Sequence, residues 1–189
     1  MNFTTTALPG VVLASLSRRT DHRGYFARGW CAAEFAAHGL NPHAVQLNVG
    51  FSHLRGTLRG MHYQAAPHAE AKQVRCTRGV VFDAVVDLRP DSPTFCRWLG
   101  VELSADNGDM LCVPEGCAHG YQTLTDGAEI HYLTSEPYHA GSARGFRFDD
   151  PAFDIKWPLP VAAISAADLA WPVFPFRPEA GVRTRNPLP

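Results

Sequence analysis

The sequence predicts an all-β protein, an antiparallel sandwich or barrel with few helices. Three observations carry the prediction. From Gln46 to Thr134 the chain reads as a series of short, β-rich runs. Gly, Pro, Asn and Asp clusters separate those runs, as turn chemistry requires. Helix signals are scarce, and many short strands divided by turns fit a sandwich or barrel better than a helical layer.

Taken in chain order, the first regular element is a short Ala-rich helix over Cys31–His38, stopped by Gly39 and Asn41-Pro42. A β-branched strand follows over Val80–Leu88 and is broken by Pro90-Asp91-Ser92-Pro93. A second run covers Thr94–Leu103 and turns at Ala105-Asp106-Asn107-Gly108. Met110–Val113 and Ala128–Thr134 complete the strand set. A proline-rich, irregular tail begins near Trp157 and carries one short helix near Ser165–Leu169. The chain has 189 residues and is 46% hydrophobic, which suits a single domain over residues 1–189 with a sizeable core.

The formal net charge is −1 and 19% of residues are charged. That balance points away from nucleic acid and from an anionic membrane as main partners. Arginine clusters can still hold a small anion. The five cysteines form no CxxC pair, no basic-then-apolar leader opens the chain, and no apolar run approaches membrane-span length. A reduced, cytoplasmic protein is expected, with cysteines serving as small core residues.

Two segments carry the chemistry. One is Leu58-Arg59-Gly60-Met61-His62-Tyr63-Gln64, followed by Lys72; the other is Gly108, five residues, Pro114-Glu115-Gly116, two residues, His119. The second spacing is similar to the second motif of cupins, and Gly56, five residues, His62 matches half of the first. The resemblance implies a cupin-like jelly-roll barrel whose alternate side chains enter a central cavity, with His62 and His119 both facing it. One reading of such a cavity is a metal-dependent isomerase or dioxygenase that uses His62 and His119 with a carboxylate such as Glu70. Metal-binding cupins place a second His where this chain has Gln64, a poor ligand.

The other reading is proton transfer. His62 can serve as a general base near neutral pH. Lys72 can clamp a developing oxyanion. Tyr132, on the same strand face as Ile130 and Thr134, can be a general acid, and Asp168 can hold His62 in one tautomer. Each has an ordinary use too: a bonded strand histidine, a solvated lysine, a core tyrosine, a helix-end aspartate. Strict alternation puts Arg59 and His62 on opposite faces, unless Gly60 marks a bulge.

These residues in this order resemble the dTDP-4-dehydrorhamnose 3,5-epimerase family. The likeness runs from about Arg19 to Pro172 and includes Asp21-His22-Arg23-Gly24-Tyr25-Phe26, Pro114 through Gly120, Arg144-Gly145 and Asp149-Asp150-Pro151. It implies an enzyme that inverts C3, C5 or both in a nucleotide-diphospho-4-keto-6-deoxy sugar, without a cofactor or metal. His62, paired with Asp168, would remove the proton, Lys72 would stabilise the enolate, and Tyr132 would return a proton. Arg59 and Arg23 would hold the diphosphate, while Gln46, Asn48, His119, Tyr138 and Arg144 line the substrate pocket. The resemblance also implies a homodimer in which Arg23 and Phe26 reach the neighbouring site. The family usually has Glu where this chain has Arg28, near the nucleoside, and often Lys where it has Leu133 and Ala167. Nucleotide choice looser than strict dTDP selectivity is expected from the first and third of these departures.

Overall fold

A computed structural model describes residues 1–175. In chain order the elements are β1 (Asn2–Thr5), β2 (Val12–Ser15), β3 (Arg19–Asp21), β4 (Gly24–Phe26), α1 (Ala32–Ala37), β5 (Gln46–Ser52), β6 (Leu58–Gln64) and β7 (Lys72–Arg78). They continue with β8 (Val80–Asp87), β9 (Trp98–Ser104), β10 (Met110–Val113), β11 (Cys117–Thr123), β12 (Ala128–Thr134), β13 (Ala143–Gly145) and α2 (Ala166–Leu169). One sheet has six strands in the order β1-β2-β10-β7-β12-β5, and the other has five in the order β13-β6-β11-β8-β9. All their strand pairs are antiparallel. The fold is the antiparallel sandwich that the strand runs predict, of the jelly-roll kind that the cupin resemblance implies.

Apolar residues fall into three layers because strands alternate their side chains. Between the sheets, Val74, Ile130, Val85 and Leu103 form the main core. The outer face of the five-stranded sheet buries Met61, Ala84, Val86 and Ala118 under Phe146 and Phe153. On the outer face of the six-stranded sheet, Val12, Ala14, Met110 and Cys112 pack under Phe35 of α1. The internal strand β8 is buried on both faces over most of its length, which explains why its valines, Phe82 and Ala84 do not alternate with exposed polar residues.

Two expectations need correction. The run over Thr94–Leu103 becomes strand only at Trp98. Asp87 accepts from Arg89, Ser92 and Thr94, and its backbone oxygen accepts the Cys96 N–H, so this stretch is a turn folded around one carboxylate. Burial alone would raise the Asp87 pKa, but those donors outweigh it and bring it to about 2. The second correction is that β1 to β4 and β13 went unread; they are three or four residues long and lie in small ribbons or near sheet edges. The tail expected from Trp157 is described only to residue 175, and the single-domain span includes residues 176–189, which lie outside the described residues.

The bulge suspected at Gly60 is present. His119 faces His62 across β11 and β6, whereas Tyr121 faces Arg59, so β6 spends one extra residue over that interval. Gly60 adopts φ +135°, and a Cβ there would lie 2.6 Å from the Gly120 Cα. Gly60→Ala therefore meets both backbone strain and a clash that neither strand can relieve locally. The expected cost is about 2–5 kcal/mol, read as a lowered denaturant midpoint; a midpoint equal to wild type would show that β6 and β11 can separate freely.

Candidate active site

A cavity of about 860 Å³ opens between the sheets. From β6 and β11 it receives Arg59, His62 and His119. From the facing sheet come Gln46, Asn48, Lys72 and Tyr132. Register explains the second wall: Tyr132 lies opposite Asn48 on β5 and Val74 on β7, while Thr134 lies opposite Gln46 and Lys72. Alternation then keeps this set on the inner face.

The tail delivers the third wall. Ser165 caps α2 by accepting the Asp168 N–H at 2.9 Å. Asp168 Oδ1 lies 2.5 Å from His62 Nε2. Burial pushes the Asp168 carboxyl up, but the His62 contact, the Ser165 hydroxyl and the Gly60 backbone together hold it below its ordinary value. With Nε2 engaged, Nδ1 is the His62 nitrogen left for chemistry. The His62 side chain is 43% exposed, so it is supported on one side and open on the other. Trp171 stands beside it, ring edge to face, and seats on Gly145.

Across the cavity Lys72 is buried and ion-paired to Glu70. Burial lowers the ammonium pKa, and Glu70 partly restores it. Burial also raises the Tyr132 phenol, Glu70 raises it further, and Arg59 opposes them. Tyr132 thus stays protonated at neutral pH and has a proton to give. His119 is paired through Nε2 to Asp83 Oδ2 at 2.8 Å, both buried. Burial raises the Asp83 carboxyl despite its histidine partner.

The structure brings together most predicted site residues. Arg59 is held by Ser52 and by the Phe51 carbonyl, Gln46 bonds Asn48, and Tyr138 and Arg144 stand on the rim. Arg23, Phe26 and Arg28 lie outside this cavity. Arg23 pairs with Asp21, Phe26 is 75% exposed on the β3–β4 hairpin, and Arg28 pairs with Glu34. Asp83 escaped the sequence reading, although it shares the inner face with the Val81 and Val85 of the same strand. Tyr121 and Trp171 escaped it too; both line the cavity, and the Trp171 indole N–H has no partner among the described residues. No three His, Cys, Asp or Glu side chains group as a metal set among the described residues. Glu70, the carboxylate considered for such a set, is spent on Lys72.

A family model described as dTDP-4-dehydrorhamnose 3,5-epimerase matches residues 5–175. This chain belongs to that family. The dTDP-4-dehydrorhamnose 3,5-epimerase of Sinorhizobium fredii is 42% identical over 158 residues, covering 84% of this chain and 81% of the relative. Among solved structures, the epimerase of Elizabethkingia anophelis superposes with a TM-score of 0.89 at 37% identity, covering 92% of this chain and 96% of that one. The Bacillus anthracis enzyme, solved with TDP and PPi bound, gives 0.88 at 35% identity, with 92% and 99% covered. The jelly roll is therefore that of the epimerase family, and the protein is an isomerase of 4-keto-6-deoxy nucleotide sugars in deoxysugar biosynthesis.

The His62–Asp168 contact sets a sign for acid stability. A carboxylate whose folded pKa is depressed stabilises the fold above its unfolded pKa, and the gain is lost as pH falls through the lower folded value. Asp168→Asn should therefore be less stable than wild type near pH 7. The gap should shrink below about pH 4, where the unfolded carboxyl already binds its proton. Urea midpoints at several pH values measure this; a gap constant from pH 7 to pH 3 would show that the Asp168 charge contributes nothing.

Proposed function

We propose that His62 and Tyr132 form the base and acid of the epimerisation, working from opposite sheets across one cavity. That opposition is the observation that carries the reading, since inversion needs a proton removed from one face of a carbon and returned to the other. His62 Nδ1 takes the proton from the carbon beside the C4 ketone. The C–H electron pair moves into the ring as an enolate, and the imidazolium formed is steadied by Asp168. Lys72 holds the negative enolate oxygen. Tyr132 then gives its proton to the other face, and solvent later takes the proton from His62 and restores the phenol. C3 and C5 both flank the ketone, so one lysine serves either carbon.

The substrate is dTDP-linked in this reading. Arg59 holds the diphosphate in this reading, its planar fork giving two bonds to a phosphate. Gln46, Asn48 and Tyr138 form the wall for the nucleoside end, with Arg144 and His119 completing the pocket. The TDP and PPi held by the Bacillus anthracis relative support a nucleoside diphosphate as ligand.

A homodimer completes the site. β5 is an edge strand, and its outward Leu47 and Val49 are exposed, as is Val45 just before it. An apolar edge of this kind invites a partner. Pairing there would let a neighbour's Arg23 and Phe26 reach the cavity mouth. The reduced state of all five cysteines fits a cytoplasmic setting, and among the described residues no helix is long and apolar enough to cross a membrane.

Turnover of a dTDP-4-keto-6-deoxy sugar in deuterated water tests the chemistry. Wild type should label the carbon beside the ketone and invert it. His62→Asn should lose both by about 10²–10⁴-fold while still binding dTDP. Tyr132→Phe should still exchange, because His62 can return a solvent-derived deuteron to the original face, yet mostly keep configuration. Inversion at the wild-type rate in Tyr132→Phe would assign the acid to another group. For the dimer, Val49→Asp should halve the mass seen by sedimentation and weaken dTDP binding; a wild-type mass of one chain would sink the assembly.

A further inference from the structure

Gln64 ends β6 two residues after His62 and is only 3% exposed. Its side-chain amide is engaged at both ends. Nε2 donates to the Pro137 carbonyl at 3.2 Å and to the His68 carbonyl at 3.0 Å. Oε1 accepts the His139 N–H at 2.6 Å. Between those two anchors, Tyr138 donates its backbone N–H to Gln46 Oε1 at 3.1 Å. Two glutamines from the cavity walls therefore hold three consecutive residues by their backbone. The His68 and His139 rings stack at 4.0 Å alongside, which ties the same two loops together.

The Tyr138 ring itself is 66% exposed at the cavity mouth. Packing cannot fix a side chain so open, so its location depends on where its backbone is clamped. Only an amide offers donors and an acceptor on one short planar group. The bond pattern also fixes which way Gln64 points, since the reversed amide would aim a donor at the His139 N–H.

We propose that Gln64 is a positioning residue: its amide sets the 137–139 segment so that Tyr138 stands over the nucleotide end of the cavity. The inference rests on the proposed assignment of the Gln46–Asn48–Tyr138 wall to the nucleoside. Gln64 touches no reacting atom in this scheme, so its loss should appear in binding and spare the proton transfers.

The test is a cycle of Gln64→Met, Tyr138→Ala and the double variant, with dTDP affinity, KM and kcat measured on the full chain. Each single variant should weaken dTDP binding and raise KM by about tenfold, the scale of one or two lost polar contacts. In Gln64→Met, kcat should stay within about threefold of wild type. The double variant should bind no more weakly than Tyr138→Ala alone, because residues acting through one another are not additive. If Gln64→Met does not fold, Gln64→Glu takes its place in the cycle, keeping the acceptor for His139 and losing both donors. Losses that multiply to about hundredfold in the double variant would overturn the proposal, because Gln64 would then act independently of Tyr138. So would wild-type affinity in the Gln64 variant, or a fall in kcat with affinity intact. Unchanged dTDP binding in Tyr138→Ala would instead remove the nucleoside assignment beneath it, and the proposal with it.

Discussion

Where β6 runs against β11, Gly60 and Gly120 meet with no side chain between them. A Cβ on Gly120 would sit 2.6 Å from Met61 Sδ and 2.9 Å from the Arg59 carbonyl, so the crowding is mutual. This contact lets β6 take an extra residue before His62. The shift turns a three-residue spacing into a same-face pair, with Arg59 and His62 both on the cavity. Met61 is carried to the opposite side, where it enters the core under Phe146 and Phe153. One local constraint thus sets the diphosphate end, the base, and part of the outer core together.

The interior that results is polar for a sandwich, and its ionisable groups come in pairs. Lys72 faces Glu70, His119 faces Asp83, and His62 faces Asp168. Pairing is what makes such burial tolerable, because a lone buried charge costs roughly several kcal/mol. The pairs also divide the labour. Asp83 and His119 are both sealed and can only hold shape or touch a ligand at the histidine's free edge. The His62 pair is sealed at the carboxylate and open at the imidazole. That asymmetry is what a base needs, a fixed partner behind and access in front.

Much of this was legible in the sequence because alternation is a strong signal. Period two alone put Tyr132 on one face of its strand with Ile130 and Thr134; that Lys72 shares their wall came only with the pairing of β12 and β7. The strand boundaries at Val80, Met110 and Ala128 followed from their turn residues. Other features depend on contacts far apart in the chain. Asp83 sits in a run of valines and gains meaning only when β11 brings His119 beside it. Glu70 looked available to a metal until the fold placed Lys72 against it. The Thr94–Cys96 segment has strand composition, yet three hydrogen-bond donors to Asp87 outweigh β-propensity. Arg23 and Phe26 match family positions by sequence, and Arg28 stands where the family usually has Glu, but one chain alone does not bring them to its own cavity.

The tail shows how loosely local propensity can specify a functional residue. α2 spans four residues, Ala166–Leu169, far too short to persist alone in water. Its place is fixed from outside. Gln122, fully buried on β11, exchanges two hydrogen bonds with the Leu159 backbone. Ala163 then forms a parallel bridge to Thr57 and accepts the Leu58 N–H at 2.8 Å. Beyond the helix, Arg147 donates to the Leu169 carbonyl and its backbone N–H bonds the Pro172 carbonyl. These anchors bracket Asp168 on both sides. The carboxylate that steadies His62 is therefore set by the docking of an irregular strap onto β6 and β11, and the same strap brings Trp171 to the other flank of the imidazole. The base is complete only when strands from the middle of the sequence and a tail more than a hundred positions later, at a separation of 106, have met.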